Sequence, residues 1–425
     1  MNKAVFLDRD GVINEEVDLL HKPDQLKLIE GSAEAIKLLN KNFYVIVVTN
    51  QPQVARGLCS EDDIQEINEK LKRELEKFNA RIDAVYYCPH HPEKGFPGEN
   101  PEYKIECDCR KPKIGMLEQA AKDFDLDLEF CFIIGDRTVD LKTGKNANCR
   151  TILVRTGYAG EDKKYESKPD FVADNLLEAA KLILAVKEVE DSRTKAVILV
   201  GGRGERLRPL TDNLPKPMLE IDGKPILEHQ IRLLKKYGIR DTVICGHYLF
   251  DKIKDYFGDG SAFGVKISYS KEESSLGTGG AIKKVDNFLD STFLVLYGDI
   301  MFDMNILKLI MFHKNNNSLL TLVLHETDHP YDSDLIKTDG NKVTEILGKH
   351  VKDPPTRLAK TSLFVAEPAI FGFMSDGKSD FESQTLPTLI KTNRVFGYVT
   401  DEFIKDIGTI DRYDELKKRF SRVGK

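Results

Sequence analysis

The chain opens on an unbroken apolar run at residues 4–7, and a second follows at 44–48, each short and rich in β-branched side chains. Such runs read as strands buried on both faces. Between them, residues 33–39 carry apolar positions at helical spacing. Residues 61–78 repeat that period with many charges, and Ser60 stands where an N-cap is needed. Further strands are predicted at 132–134 and 152–154. The β-α-β-α order predicts a parallel, doubly wound sheet. A loop rich in Pro, Gly and His interrupts it between about 88 and 110. A closing helix is predicted over 176–186. Residues 187–194 are charged, lack an apolar stripe and predict a linker. At 196–200 the pattern restarts with a strand that enters a glycine-rich turn. The expected fold class is α/β, with two doubly wound, Rossmann-like domains at 1–186 and 195–425. No sequence repeat relates them.

A length of 425 residues fits this division, since it exceeds what one core usually serves. Hydrophobic residues at 41% and charged residues at 31% suit packed, soluble domains. The net charge of -6, with cations scattered among acids, excludes a basic nucleic-acid footprint. No apolar run approaches a membrane span, and the first residues carry no signal-peptide pattern, so a cytoplasmic protein without membrane partners is expected. Seven cysteines, an odd count, argue against a disulfide framework.

Asp8-Arg9-Asp10-Gly11 places two carboxylates just past the first strand. Ligands of parallel sheets bind beyond the carboxyl ends of the strands. One carboxylate there can attack phosphorus and form an aspartyl-phosphate. The other can protonate the leaving oxygen and then activate water. Alone, the motif reads more readily as an exposed acidic turn; later elements separate the two readings. The strand at 44–48 ends in Thr49, Asn50 and Gln51, suited to phosphoryl oxygens. Arg110 and Lys111 offer cations to the transferring group. The strand at 132–134 ends in Gly135, Asp136 and Arg137, with Asp140 beyond. Asp136 can complete a Mg²⁺ site with Asp8 and the backbone of Asp10, and Arg137 adds a cation for phosphate. Cys88, His90, Cys107 and Cys109 form two close-spaced pairs that suit a closed, structural Zn²⁺ site, with His91 as the alternative imidazole.

In the order DxDG, Thr, Lys, GDxxxD, these motifs resemble the haloacid dehalogenase phosphatase superfamily over about residues 1–185. The resemblance implies Asp8 as nucleophile and Asp10 as general acid/base. It implies Thr49 and Lys111 as phosphoryl ligands, Asp136 as a metal ligand and Asp140 as a support behind the site. The zinc loop, and Thr49-Asn50-Gln51 followed by Ala55-Arg56-Gly57, are similar to the D-glycero-D-manno-heptose 1,7-bisphosphate 7-phosphatases. Histidinol phosphatases share such a loop and are the alternative. Pro52-Gln53 departs from the Ser-Gly that relatives usually carry.

In the second half, Gly201, Gly202 and Gly204 can bring backbone N–H groups close to phosphates. Arg206 and Lys216, the latter within Leu214-Pro215-Lys216-Pro217-Met218, can bracket a triphosphate. Gly277, Thr278, Gly279 and Gly280 make a second turn that opens a helix, with Glu272 before it. Asp299 ends a strand. Asp406, which alone reads as a helix cap, can share Mg²⁺ with Asp299 beside the α-phosphate. GGxGxRL, PKPM, LGTGGA, GD and DIGT, in that order, resemble the sugar-1-phosphate nucleotidyltransferases over about 195–425. The resemblance implies a nucleotide-diphospho-sugar transferase fold. It implies that a sugar phosphate attacks the nucleotide α-phosphorus in line and displaces pyrophosphate. Arg206 and Lys216 would bind phosphates, Asp299 and Asp406 would hold Mg²⁺, and the glycines would approach nucleotide and sugar. Glu205 replaces a usual small hydroxyl residue, and Thr361-Ser362 stands where relatives often have Asn and Gly. No hexapeptide repeat follows.

The two resemblances fit one sequence of reactions. A 7-phosphatase yields a heptose 1-phosphate, and a nucleotidyltransferase consumes a sugar 1-phosphate. Histidinol phosphate offers no such link. The second half most resembles D-glycero-D-manno-heptose 1-phosphate guanylyltransferases, which implies GTP, the α-anomer and GDP-heptose. The alternatives are another sugar phosphate, or dTTP, UTP or CTP. A sensor built from decayed enzymes is opposed by the intact Asp8, Asp10, Asp136, Asp299 and Asp406.

Overall fold

The computed structural model describes residues 2–421, which divide into two compact units after Ala185. The first unit is built on strands β1 (Ala4–Leu7), β2 (Tyr44–Asn50), β3 (Ala84–Cys88), β4 (Phe132–Gly135), β5 (Arg150–Val154) and β6 (Phe171–Ala173). They form one parallel sheet in the order β3-β2-β1-β4-β5-β6. Every residue of β1 is buried, as its unbroken apolar run requires. Phe6, Ile46, Val48 and Ile133 pack with Met116 and Leu117 of the helix Gly115–Phe124. Ser60 caps the helix Glu61–Glu76 by accepting from Asp63 N at 3.2 Å. Register assembles the site. Leu7 lies opposite Val47 and Ile134, so Asp8, Thr49 and Asp136 emerge together at the carboxyl edge.

The helix Leu176–Asp191 covers residues 187–191 of the segment expected as a linker. Val186 and Val189 continue its apolar stripe, and Lys187 pairs with Asp191 one turn on. Charged residues of high helix propensity extend a helix as readily as they make a linker.

The second unit contributes β7 (Lys195–Leu199), β8 (Glu220–Ile221), β9 (Lys224–Pro225), β10 (Asp241–Gly246), β11 (Lys266–Lys271), β12 (Phe293–Tyr297) and β13 (Ile300–Asp303). It continues with β14 (Leu320–Glu326), β15 (Leu335–Asp339), β16 (Lys342–Gly348), β17 (Leu358–Ala366), β18 (Val395–Val399) and β19 (Phe403–Asp406). Nine of these strands form a mixed sheet in the order β11-β10-β7-β12-β17-β14-β18-β16-β15. The first four are mutually parallel, and β17 runs antiparallel to β12. Tyr297 lies opposite Leu199, so Gly201 and Asp299 emerge at the same edge. The β13–β19 pair sets Ile300 opposite Asp406 and brings the two distant acids beside each other. No described helix is long and apolar enough to cross a membrane.

Candidate active sites

At the carboxyl edge of the first sheet, a cavity of about 640 Å³ is lined by Asp8, Asp10, Thr49, Asn50, Arg110, Lys111 and Arg137, among others. The buried Lys111 ammonium lies 3.0 Å from Asp8 Oδ2 and 2.5 Å from Asp140 Oδ1. It also donates to Val48 O at 3.0 Å. Asn50 fixes the Lys111 backbone from both sides, accepting its N–H at 3.0 Å and donating to its carbonyl at 3.2 Å. Burial opposes the charge on Lys111, but Asp140 and Asp8 outweigh it and push its pKa up to about 12. Asp8, Asp136 and Asp140 offer oxygens within 4.8 Å of one another. Burial, Asp8 and Asp140 push Asp136 up to about 8. Its Oδ2 accepts Tyr158 N at 2.7 Å, while its buried Oδ1 has no partner. An orphaned carboxylate oxygen among acids fits a divalent cation. Gly11 and Gly157, both at positive φ, flank this carboxylate so closely that a Cβ on either would stand 2.5 or 2.2 Å from Asp136 Oδ2.

Asp10 is held by a network that sequence reading missed. The fully buried Arg9 contacts Asp10 Oδ2 at 3.0 Å, Gln51 Oε1 at 2.8 Å and Asn68 at 3.1 Å. Asn14 donates to Asp10 Oδ1 at 2.8 Å. Burial raises the Asp10 pKa, but Arg9 and these hydrogen bonds outweigh it and hold the carboxyl below its usual value. Gln51 differs from its expected role as a phosphate ligand. It is fully buried, and its amide donates to Asp10 at 3.0 Å and Thr49 at 2.9 Å. Arg137 lines the cavity but is paired with Glu16 at 3.2 Å and stacked on Tyr158. The signal for Arg9 lay within the DxD motif itself, as the residue between the two acids.

Cys88, His90, Cys107 and Cys109 converge as one cluster. Their sulfurs lie 3.1, 3.3 and 3.5 Å apart, all seven cysteines are free, and His90 Nδ1 is 3.4 Å from Cys109. His91 is turned away toward Glu93. The hydrogen bond from Cys88, opposed by burial, pulls Cys109 down to about 5, while Cys109 raises Cys88. Three thiols this close cannot all ionise unaided, so the donor set fits a soft cation. Arg110 closes the loop onto the site by donating to His90 O at 2.9 Å.

In the second unit, a cavity of about 980 Å³ is lined by Gly201, Gly202, Gly204, Arg206, Lys216, Glu272, Gly277, Thr278, Tyr297 and Asp299, among others. Lys216 Nζ sits 2.5 Å from Asp299 Oδ2. Asp406 is taken by Arg412, which donates to both its oxygens at 2.8 and 2.6 Å, and by Gly408 N at 2.7 Å. Burial raises Asp406, but Arg412 outweighs it and lowers the pKa. Arg412 was not anticipated. A Cβ at Gly408 would lie 2.5 Å from Asp406 and 3.2 Å from Arg206, so the DIGT glycine lets these groups converge.

Gly279 and Gly280 differ from their expected roles. Their amides donate to Ser379 O at 3.0 and 3.2 Å, and a Cβ would collide with Ser379 or Gly377. They admit a neighbouring backbone, as does Gly277, whose Cβ would stand 2.4 Å from Ser379 O; Gly277 and Thr278 also line the cavity.

Two crevices, each set with acids and a lysine at the ends of parallel strands, define a two-site phosphoryl-transfer enzyme. Residues 195–422 match the family described as nucleotidyl transferase, and residues 108–179 match the HAD-hydrolase-like family. The D-glycero-beta-D-manno-heptose-1,7-bisphosphate 7-phosphatase of Haemophilus influenzae is 41% identical over 193 residues, covering 44% of this chain and 100% of that protein. The chain thus belongs to the nucleotidyl transferase family through its second unit and to the family of that phosphatase through its first. The mannose-1-phosphate guanylyltransferase of Mycobacterium tuberculosis is 35% identical over 219 residues, 50% of this chain and 61% of that protein. A Bacillus anthracis chain assigned as a glucose-1-phosphate thymidylyltransferase shares the fold at a TM-score of 0.50 and 21% identity, covering 53% of this chain and 94% of its own.

Proposed function

We propose that the first site removes the 7-phosphate of D-glycero-D-manno-heptose 1,7-bisphosphate. The second site then transfers GMP from GTP to heptose 1-phosphate, giving GDP-heptose and pyrophosphate. The observation that carries this reading is the union in one chain of a unit related over its whole length to a heptose bisphosphate phosphatase and an intact nucleotidyl-transfer pocket.

In the first reaction Asp8 attacks phosphorus, the bond to the C7 oxygen breaks, and Asp10 protonates that oxygen. Water then gives its proton to Asp10, attacks phosphorus and frees Asp8. Arg9 and its neighbours hold the Asp10 carboxyl below its usual value, so a proton must be supplied for the first step, and the substrate's phosphate monoanion, whose second pKa is about 6, can bring it. Lys111 and Thr49 hold the phosphoryl oxygens. Mg²⁺ held by Asp8, Asp136 and the backbone of Asp10 would supply charge neutralisation and alignment. Zn²⁺ on Cys88, His90, Cys107 and Cys109 would brace the loop that carries Arg110 and Lys111.

In the second reaction Arg206 and Lys216 bind the triphosphate, and Asp299 and Asp406, paired with Lys216 and Arg412, would hold Mg²⁺. Guanine is favoured by Glu272, a buried carboxylate on the pocket wall, one oxygen of which accepts Leu276 N at 2.9 Å. A carboxylate only accepts, and guanine alone presents two adjacent donors, N1–H and N2–H, on its pairing edge. The α-anomer is proposed for the second step, although the Haemophilus relative is named for the β-anomer. Free cysteines suit a cytoplasmic setting.

The test is to incubate the full chain with Mg²⁺, either anomer of the bisphosphate and each nucleoside triphosphate in turn, with mass spectrometry of the products. GDP-heptose formed from GTP alone is expected. Phosphate release without a nucleotide-sugar would overturn the coupled reading.

A further inference from the structure

The segment Ala55-Arg56-Gly57 follows the Thr49-Asn50-Gln51 strand end, and neither proposed reaction uses it. Its backbone carries part of the metal loop. Ala55 O accepts Asn100 N at 3.0 Å, and Gly57, at positive φ, lies so close to Gly98 O that a Cβ there would collide with it. Only a glycine lets the two backbones meet in this way. Glu99 closes the loop, accepting Gly95 N at 2.9 Å and Phe96 N at 3.0 Å, and pairs with Lys104 at 3.3 Å. These bonds fix the Phe96 ring as a platform. The Arg56 guanidinium lies over that ring at 4.4 Å, and the Lys104 ammonium lies 4.7 Å from its centre.

Arg56 lines the same cavity as Asp8 and Lys111. Three other cations of that cavity are already engaged. Lys111 is held by Asp8 and Asp140, Arg137 is paired with Glu16, and Arg110 donates to His90 O. Arg56 differs from them. Its Nε is buried without a hydrogen-bond partner, and its guanidinium makes no hydrogen bond or ion pair with any described residue. A half-buried guanidinium without a counter-charge is costly until an anion completes it. Its planar fork matches two oxygens of one phosphate. The chemistry at Asp8 consumes one phosphate group, whereas a sugar bisphosphate brings a second into the same cavity.

We propose that Arg56 binds the phosphate group that is kept, and so selects a sugar bisphosphate over a monophosphate. This rests on the phosphatase reading of the first site. The Phe96 platform and the Gly57 contact position the guanidinium; Arg56 itself touches the substrate.

The test is phosphate release by the full chain with Mg²⁺ and no nucleotide, from heptose 1,7-bisphosphate and from heptose 7-phosphate in parallel. Arg56→Gln should raise the KM for the bisphosphate about 10- to 100-fold, the loss of a charge-assisted hydrogen bond, with kcat within about twofold. The same preparation should keep its kcat/KM for heptose 7-phosphate within about twofold, which also shows that it is folded. Arg56→Lys keeps the charge without the fork and should fall between the two. An unchanged KM for the bisphosphate in Arg56→Gln, or an equal loss on both substrates, would overturn the assignment while leaving the phosphatase standing. So would wild-type protein that uses the two substrates equally well. Wild-type protein that releases phosphate from neither would overturn the phosphatase reading and the assignment with it.

Discussion

In the first site Asp8, Asp136 and Asp140 are buried around one equally buried ammonium, Lys111. In the second, the Asp299 and Asp406 side chains are 27% and 40% exposed, and each is already paired with its own cation, Lys216 or Arg412. The contrast follows from the chemistry proposed for each. A carboxylate that attacks phosphorus and carries the phosphoryl group must be held and kept from bulk water. Nucleotidyl transfer leaves no group on the protein, so the site mainly positions and neutralises a substrate, and it can stay open.

The largest effect separates the two sites directly. Asp8→Asn should lower phosphate release about 10⁴-fold or more while nucleotide-sugar synthesis from supplied heptose 1-phosphate stays within about twofold. Equal loss of both activities in the same preparation would break the contrast. Conversely, Asp299→Asn should lower pyrophosphate release about 10³-fold and spare the phosphatase.

A smaller effect sharpens the second site. Glu272→Gln should reduce kcat/KM for GTP about 30-fold, the cost of a charge-assisted hydrogen bond, and narrow its advantage over the other nucleotides. An unchanged ranking of the four triphosphates would remove Glu272 from base recognition.

The smallest effect probes the buried acids. Asp136 has its pKa raised from 3.8 to about 8 by burial and by Asp8 and Asp140. Between those values the folded chain binds the proton more tightly than the unfolded chain does. Its contribution to stability is therefore present at low pH and lost as pH rises toward 8, by at most about 1.4 kcal/mol per pH unit. With magnesium omitted, the melting temperature of the first unit should fall from pH 6 to pH 8. Added Mg²⁺ should reverse the fall and bind up to about tenfold more tightly per pH unit gained. A melting temperature that holds or rises without magnesium would place Asp136 in a more solvated setting than the structure shows.

Much of the first site was readable because its groups stand directly after strands with unmistakable apolar runs. β1, β2 and β4 were anticipated, and parallel register then carries Asp8, Thr49 and Asp136 to one edge. β3 was not anticipated. It is an edge strand, mostly half-buried, and its Ala-Val-Tyr-Tyr-Cys carries a weaker pattern. The metal-loop residues were readable as chemistry, and His90, expected ahead of His91, is the imidazole that stands with the three cysteines, while His91 turns toward Glu93.

The amino-acid sequence by itself determined that two α/β units follow one another and which chemistry each carries. Periodicity reports which face of an element is buried, and motif order reports which groups stand at strand ends. Tertiary structure alone decided what those groups touch. It turned Gln51 from a phosphate ligand into a support for Asp10, gave Gly279 and Gly280 to backbone packing, and set Arg412 on Asp406. It also joined Tyr297 to Glu382 across 85 residues of chain. The physical reason is that a hydrogen bond or ion pair is set within a few tenths of an ångström by loops whose path leaves no periodic trace in the residues that form them.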